Sequence, residues 1–303
     1  MQTCEQVAEL LRALGDPTRL RLLAGLSHGE LAVGEITQVT GLSQPRVSRH
    51  LKLLCDARVL QRTRDQNEVY YRTTIDEDRR ALVQQVLATL PEHDPVIARD
   101  QERLTAILDA RQLRAQALLE QMGVTPLSAQ DMTAVRAAVD TLLAEQLPPG
   151  GAGTQLGDLL DIGTGTGSML RLLAGRARRT VGIDRSREMR LVARAAVLSA
   201  GLANCTVQQG DMYDLGFPSG HFDIVTLDRV LGAAEDPPAA LREAARVVKH
   251  RGHCLVVETA TATDPARLLA DAGLSLLDSR RTAGGTARVA LARRARRPHP
   301  RVA

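Results

Sequence analysis

The sequence predicts an α/β chain of two domains joined by helices. The first ninety residues carry apolar positions at helical spacing, followed by two alternating segments around Asp65-Gln66-Asn67. The second half carries short apolar strands that alternate with helices, and a glycine-rich turn follows the first of them. A length of 303 residues suits about two domains of ordinary size. We expect these domains at 1–92 and 154–292, a helical connector at 93–153 and a basic tail at 293–303.

Composition narrows the class of protein. Apolar residues make up 44% of the chain, so both domains can bury a core, but aromatic residues make up only 2% and the cores must be aliphatic. We find no run of about 18 apolar residues and no basic-then-apolar leader, and we therefore expect no membrane association. The four cysteines form no CxxC pair, so a reducing cytoplasm is the expected location.

Positive charge is concentrated in two segments. Residues 43–72 hold seven Arg or Lys against three acids, and residues 280–303 hold eight Arg and no acid. The first segment is a candidate nucleic-acid face. Within the second segment, the tail from Arg293 to Arg301 is expected to be a disordered end, with nonspecific DNA contact as the alternative.

Residues 16–54 predict a helix-turn-helix. Asp16 suits the cap of a helix and Pro17 its first position. A short helix at about 34–40 ends at Gly41, which fits a left-handed turn, and Ser43 is placed to cap the next helix. The apolar residues of this next helix share one face: Val47, Leu51 and Leu54. Its opposite face is polar and basic: Gln44, Arg46, Arg49 and Lys52.

The same region predicts a wing. Segments 59–64 and 68–72 alternate like two strands around a turn, and a β-hairpin after such a helix forms a wing. Gln and Arg side chains can each make two hydrogen bonds to a base edge, and Arg62 and Arg64 are placed to contact phosphate. The alternative is a solvated basic face on a helical domain.

Two motifs in these residues resemble the ArsR family of winged-helix repressors. They are Leu-Gly-Asp-Pro-Thr-Arg-Leu-Arg-Leu-Leu at 14–23 and Leu-Ser-Gln-Pro-Arg-Val-Ser-Arg-His-Leu-Lys-Leu-Leu at 42–54. The resemblance implies a homodimer built on the first and last helices, and double-stranded operator DNA that is palindromic. The DNA-binding set is then Ser43, Gln44, Arg46, Ser48, Arg49, Arg62 and Arg64. Metalloid-sensing members carry a Cys-x-Cys pair where this chain has Ala32-Val33-Gly34, so we expect no metal site.

The connector repeats apolar residues at sevens and fours, close to a heptad seam. The repeating residues are Ile97, Leu104, Leu108, Ala115, Leu119 and Met122. A second helix is expected at about 131–147, before a linker at Pro148-Pro149-Gly150-Gly151. Two interpretations remain open: an amphipathic helix that covers one domain, or a dimer-contacting helix that carries strain between the two domains.

The second half contains a nucleotide-binding pattern. A strand at 156–162 precedes Gly163, Gly165 and Gly167, which allow close backbone approach to a ligand, and a helix follows near 168. The next strand ends in Asp184, a carboxylate suited to ribose hydroxyls. A glycine-rich turn alone is equally compatible with NAD.

Further residues argue against NAD. Asp161 stands directly before the glycines, where it can meet an amino-acid ammonium rather than a pyrophosphate. A third strand at 205–209 leads into Asp211 and Met212, an acid and an apolar residue suited to an adenine edge and face. Strands at 222–228 and 250–258 then follow, with a helix between them.

Together these features resemble the class I S-adenosylmethionine-dependent methyltransferase fold, a Rossmann-like domain. The resemblance implies a seven-stranded sheet whose last strand, at about 288–291, is antiparallel and follows a hairpin at Gly284-Gly285. It assigns Asp161 and the three glycines to the methionine part of S-adenosylmethionine or S-adenosylhomocysteine, Asp184 to the ribose, and Asp211 with Met212 to the adenine. The candidate cofactor-binding residues are Asp161, Gly163, Thr164, Gly165, Gly167, Asp184, Arg185, Met189, Asp211, Met212 and Asp228.

The whole chain also resembles fusions of an ArsR DNA-binding domain with a methyltransferase domain, some of which are repressors that sense S-adenosylhomocysteine. Such fusions often carry aromatic residues before the domain, where this chain has residues 117–123, and a longer excursion after the strand that ends at Glu258. Methyl transfer needs the acceptor held in line and often a base, and we can nominate no catalytic residue. We therefore hypothesise a dimeric transcriptional regulator with either ligand as effector. An active methyltransferase with an autoregulatory DNA-binding domain is the alternative, and a cofactor domain without a role is the third interpretation.

Overall fold

The structure is a computed structural model. It describes residues 3–74, 76–91, 93–147, 156–259 and 265–294. The predicted linker at Pro148–Gly151 and the tail from residue 295 lie outside these ranges. The predicted start of the tail was wrong, because Arg293 and Arg294 continue the last strand of the sheet.

The N-terminal unit is a winged helix-turn-helix. Asp16 caps the second helix by accepting a hydrogen bond from the Arg19 N–H at 3.0 Å, and Gly41, with a φ of 65°, turns the chain from the third helix into the fourth. Ser43 occupies the predicted cap position of the fourth helix, but its side chain makes no capping hydrogen bond. The elements are α1 Cys4–Leu14, α2 Pro17–Leu26, β1 Leu31–Ala32, α3 Val33–Thr40, α4 Gln44–Asp56, β2 Leu60–Asp65, β3 Glu68–Thr73 and α5 Glu77–Ala88.

The predicted wing is the hairpin of β2 and β3. The two strands pair antiparallel from Leu60 opposite Thr73 to Asp65 opposite Glu68, and Gln66 makes the turn with a φ of 54°. The short strand β1 joins the free edge of β3, so the sheet order is β1-β3-β2.

Two helices connect the units: α6 Pro95–Met122 and α7 Ala129–Gln146. Leu104 of α6 belongs to the core of the winged helix, whereas Ala115, nearer the other end, packs against Val192 and Ala195 of the C-terminal unit. The predicted apolar seam therefore contacts both domains within one chain. None of the helices in the described ranges has the length and apolarity needed to cross a membrane.

The C-terminal unit is a seven-stranded sheet with helices on both faces. Its strands run β6-β5-β4-β7-β8-β10-β9, and β10 pairs antiparallel with both of its neighbours, as predicted. One face packs against α7 and α8 and the other against α10 and α11. The elements are β4 Asp158–Ile162, α8 Ser168–Leu173, β5 Arg179–Asp184, α9 Arg187–Ser199, β6 Cys205–Gln209, β7 Phe222–Asp228, α10 Pro237–Val247, β8 Val248–Thr259, α11 Pro265–Asp271, β9 Leu274–Arg281 and β10 Ala287–Arg294.

Candidate cofactor pocket and nucleic-acid face

A cavity of about 430 Å³ opens at the carboxyl ends of β4, β5 and β7, where parallel α/β sheets bind ligands. Eight of the predicted cofactor residues line it: Gly163, Thr164, Gly165, Asp184, Arg185, Met189, Met212 and Asp228. The other three, Asp161, Gly167 and Asp211, lie outside its wall. The structure thus brings most of the predicted set together around one cavity of ligand size.

The glycine turn forms one side of the cavity. Gly163 has a φ of 65°, and a Cβ placed there would lie 2.5 Å from Val230 Cγ2. The Thr164 N–H donates to the Ile183 carbonyl at 2.8 Å, which fastens the turn to β5. Glycine is therefore required at 163 both by backbone conformation and by space.

Asp184 holds two loops with one carboxylate. Its Oδ2 accepts from the Gly165 N–H and its Oδ1 from the Ser186 N–H, both at 2.9 Å. Each carboxylate oxygen has a second lone pair, so hydroxyl groups such as those of a ribose can still donate to it.

Asp161 forms the floor beneath the cavity instead of part of its wall. The residue is 1% exposed, and its carboxylate accepts from the hydroxyls of Thr164 at 2.7 Å and Thr226 at 2.5 Å. Burial raises its pKa to about 7, and the charges of Asp228 and Asp184 act in the same direction against the two hydrogen bonds. Thr164, which does line the cavity, is the side chain through which Asp161 contacts this site.

The predicted adenine residues separate in the structure. Met212 lines the cavity, while Asp211 Oδ1 accepts from the Tyr213 N–H at 3.0 Å and so stabilises the turn after β6. Asp211 therefore shapes the loop that carries Met212.

The roof of the cavity is not predicted by the sequence. The roof is the segment 124–127 between α6 and α7. Gly123 ends α6 with a φ of 65° and is a local signal of a turn, but no local pattern specifies which surface that turn covers. Arg229 also lines the cavity; it has a φ of 55° and its guanidinium pairs with Asp228.

The part of the cavity wall that the structure describes contains no His, Lys, Cys or Tyr. Its carboxylates, Asp184 and Asp228, are already engaged with backbone N–H groups and with Arg229 respectively. Nearby, Glu258 Oε1 accepts from the Leu231 N–H at 2.9 Å, and burial raises the pKa of this carboxyl. The wall therefore offers donors and acceptors for binding, and Glu258, which bonds the backbone next to Val230 of the wall, is a group suited to proton transfer.

All seven predicted DNA-binding residues are exposed, and they lie on α4 and the wing: Ser43, Gln44, Arg46, Ser48, Arg49, Arg62 and Arg64. Val47, Leu51 and Leu54 on the opposite face of α4 are fully buried, as predicted. Arg46 Nη2 lies 3.3 Å from the Thr18 hydroxyl, and Arg64 Nε donates to the Gln66 carbonyl at 3.0 Å. Among the described residues, no group of three or more His, Cys, Asp or Glu is placed to hold a metal ion.

Comparison with protein families identifies both units. Residues 16–62 match the model "Bacterial regulatory protein, arsR family", and residues 160–256 match "Methyltransferase domain". The chain is 38% identical to the Biofilm growth-associated repressor of Xylella fastidiosa over 69 residues, which are 23% of this chain and 60% of the relative. It is 35% identical to the Uncharacterized methyltransferase YcgJ of Bacillus subtilis over 107 residues, which are 35% of this chain and 42% of the relative.

Among solved structures, YcgJ of Bacillus subtilis aligns with a TM-score of 0.43 at 17% identity, covering 53% of this chain and 99% of the other. The topology of the C-terminal unit is given by the strand order of its sheet. The chain spans only 42–60% of the length of these curated relatives, and each matches one of its two units. This chain therefore joins an arsR-family helix-turn-helix regulatory unit to a methyltransferase domain.

Proposed function

We propose that this protein is a dimeric, DNA-binding transcriptional regulator whose methyltransferase domain binds S-adenosylhomocysteine or S-adenosylmethionine as an effector. The DNA-contacting residues are those of α4 and the wing, and the operator is palindromic.

The observation that carries this proposal is the course of α6. Near its start, Asp100 accepts two hydrogen bonds from Arg21, at 2.7 and 2.8 Å, and the same guanidinium donates to the carbonyl of Thr40 at 2.5 Å. Thr40 is the last residue of α3, directly before the helix-turn-helix turn. The other end of α6 leads into the cavity roof at 124–127. One continuous helix, α6, therefore joins the helix-turn-helix to the ligand cavity.

The cavity fits this class of ligand by the chemistry of its wall. Asp184 supplies carboxylate oxygens for ribose hydroxyls, and Met189, Met212 and Ile183 supply an apolar surface for a purine. The open backbone at Gly163 and Gly165 leaves room for the amino-acid part. Either ligand satisfies these contacts, because they involve the parts that the two share.

The test is operator affinity with and without each ligand. A binding duplex is first enriched from random DNA, and its Kd for the full chain is measured by fluorescence anisotropy at fixed salt. We expect one ligand to change this Kd about tenfold or more, within the usual range of allosteric coupling, and Asp184→Ala to abolish the change together with ligand binding. If both ligands bind by calorimetry and neither changes the Kd more than about twofold, the effector role is wrong.

An active methyltransferase is the second candidate, and Glu258 is the observation that favours it. Its carboxyl lies at the end of β8 near the cavity, and its raised pKa suits a general acid or base. Incubating the protein with methyl-labelled S-adenosylmethionine and a cell extract tests this function. Label transfer that Glu258→Gln abolishes, with ligand affinity unchanged, would favour the enzyme over the sensor.

A further inference from the structure

The wing is fastened to the methyltransferase domain by a buried ion-pair cluster centred on Asp65. The Asp65 carboxylate accepts from Arg190 Nε and Nη2, both at 2.9 Å, and from Arg194 Nη1 at 2.6 Å. The side chains of Arg190, Arg194 and Asp65 are 0%, 5% and 5% exposed. Charges this deeply buried are tolerated only when paired, so the cluster fixes how the wing lies on the other domain.

Arg190 also touches the wall of the ligand cavity. Its remaining nitrogen, Nη1, donates to the carbonyl oxygens of Asp184 at 3.1 Å and Arg185 at 2.9 Å. Both residues line the cavity, and the Asp184 carboxylate holds the glycine turn through Gly165. A single guanidinium therefore binds the wing with one edge and the ligand-facing loop with the other.

Arg194, one helical turn after Arg190 on α9, links the second wing strand, β3, to Glu30 and to strand β6 of the methyltransferase domain. Its guanidinium stacks 4.0 Å over the ring of Tyr70 in β3, and its Nε donates to Glu30 Oε1 at 3.0 Å. Its Nη2 donates to the Val207 carbonyl of β6 at 2.5 Å. Both wing strands are thus held, so a shift of α9 relative to the loop after β5 would be transmitted to the whole hairpin.

The same strand that carries Asp65 carries the exposed arginines of the wing. Side chains alternate along β2, so Asp65 faces the methyltransferase domain, whereas Arg62 and Arg64 are exposed to solvent. The place at which these two arginines can meet a DNA backbone is therefore set by the Asp65 anchor.

We propose that Arg190 is the positioning residue through which ligand binding at Asp184 regulates the wing. This inference rests on the proposed function, since it names the path by which the effector acts. The guanidinium is planar and rigid, so it keeps all four hydrogen bonds only while the loop after β5 and the wing hold one relative position. A ligand that reorients the Asp184 loop changes the wing position that the cluster favours, and DNA bound to the wing affects ligand affinity by the same factor.

The test uses the full chain and compares Asp65→Asn with Glu243→Gln. Both substitutions remove the charge of a carboxylate that pairs with arginine, but Asp65 is bonded to the residue that touches the ligand loop, whereas Glu243 pairs with Arg246 on α10. S-adenosylhomocysteine and S-adenosylmethionine are each titrated by calorimetry, and the Kd of the enriched duplex is measured with and without saturating ligand. We expect wild type and Glu243→Gln to show about tenfold coupling, and Asp65→Asn less than about twofold with its ligand Kd unchanged. Full coupling in Asp65→Asn would overturn the inference.

A measurement on the wild-type protein covers the case in which Asp65→Asn does not fold. Hydrogen exchange of the amides at 60–73 is followed with and without ligand, in the absence of DNA, and we expect ligand to change their exchange rates. Unchanged wing amides together with a ligand-dependent DNA Kd would overturn the Arg190 path and leave the proposed function standing. Changed wing amides with a ligand-independent DNA Kd would support the path and refute the effector role. If neither changes although ligand binds, both are refuted.

Discussion

Asp65 and Asp161 are both buried aspartates near the ligand cavity, but their carboxylates lie in opposite electrostatic surroundings. Two guanidinium groups bind Asp65, and although burial raises the pKa of its carboxyl, the hydrogen bonds and charges of Arg190 and Arg194 outweigh burial and lower it. Asp161 is bound by two hydroxyls, and burial raises its pKa to about 7. The domain interface is therefore built on a fixed charge, and the cavity floor on a carboxyl that titrates near neutral pH.

This difference suits the two tasks that the proposed ligand-responsive regulator would need. A carboxylate between two arginines cannot lose its charge without removing the ionic partner that two buried guanidinium groups share, so Asp65 suits a permanent link. The Asp161 carboxyl accepts hydrogen bonds from the hydroxyls of Thr164 and Thr226, and it can gain or lose a proton at small cost. The cavity floor can therefore adapt to a charged ligand. Substitutions at Asp65 and Asp161, at Gly163 in the glycine turn and at Arg62 on β2 test this division.

Asp65→Ala is expected to have the largest effect. It leaves Arg190 and Arg194 buried without their shared partner, and breaking a buried pair in this way costs about 3–5 kcal/mol of the free energy of unfolding. Asp140→Ala is the matched control, because its pair with Arg176 is half exposed and such pairs contribute about 1 kcal/mol or less. Urea unfolding of the three proteins measures both losses. Equal losses would show that burial gives the Asp65 cluster no special role.

Gly163→Ala should follow in size, because it disturbs the glycine turn at the side of the cavity and leaves the carboxylates of Asp65 and Asp161 in place. The new Cβ would meet Val230 Cγ2 at 2.5 Å and the backbone would remain in the left-handed region, which costs about 1–2 kcal/mol for a residue with a side chain. Overpacking adds about 1–3 kcal/mol more, so ligand affinity should fall more than tenfold. Gly201→Ala is the control, with a φ of 64° and no atom within 4 Å of the added Cβ. Calorimetry that found unchanged ligand affinity in Gly163→Ala would remove the glycine turn from the site.

The parts of this molecule that local sequence specifies could be predicted. The helix-turn-helix follows from Asp16 and Gly41, whose caps and left-handed turn are local effects, and the sheet follows from its apolar strands. The ends of β4 and β5, which are followed by the glycine turn and formed by Asp184 respectively, were predicted for the same reason. Strand ends of a parallel sheet meet at one edge, so the turn and the carboxylate had to converge.

The ion-pair cluster could not be predicted, because its partners are far apart in sequence. Asp65 and Arg190 are separated by 125 positions, and the local sequence around Asp65 predicts a turn. Arg190 and Arg194 stand four apart on α9, a spacing typical of a solvated helix face. In the structure both are buried, and both bind Asp65 of the wing. The roof at 124–127 was missed for a similar reason, since its position depends on the direction of α6.

The pH dependence of stability tests the proton at Asp161. The folded pKa is about 7 and the unfolded value about 3.9, so between these values the folded state holds the extra proton and the free energy of unfolding falls as pH rises. The loss should be about 1.4 kcal/mol per pH unit and should end above pH 7. The difference in unfolding free energy between wild type and Asp161→Asn should therefore shrink over this range. A constant difference for Asp161→Asn would place a charged carboxylate in the cavity floor.

Arg62→Ala should have the smallest effect and act on DNA binding alone. Arg62 lies on the same strand as Asp65 but faces solvent, so its loss should leave the free energy of unfolding unchanged within about 0.5 kcal/mol. Because a phosphate contact releases counterions, the slope of log K against log salt should become less negative by about 0.9. Anisotropy titrations at several salt concentrations measure this slope, with Arg80→Ala on α5 as a basic control away from the predicted DNA face. A full slope in Arg62→Ala would mean that the wing does not contact the backbone there. The Asp65 anchor would then position the wing for some purpose other than DNA binding.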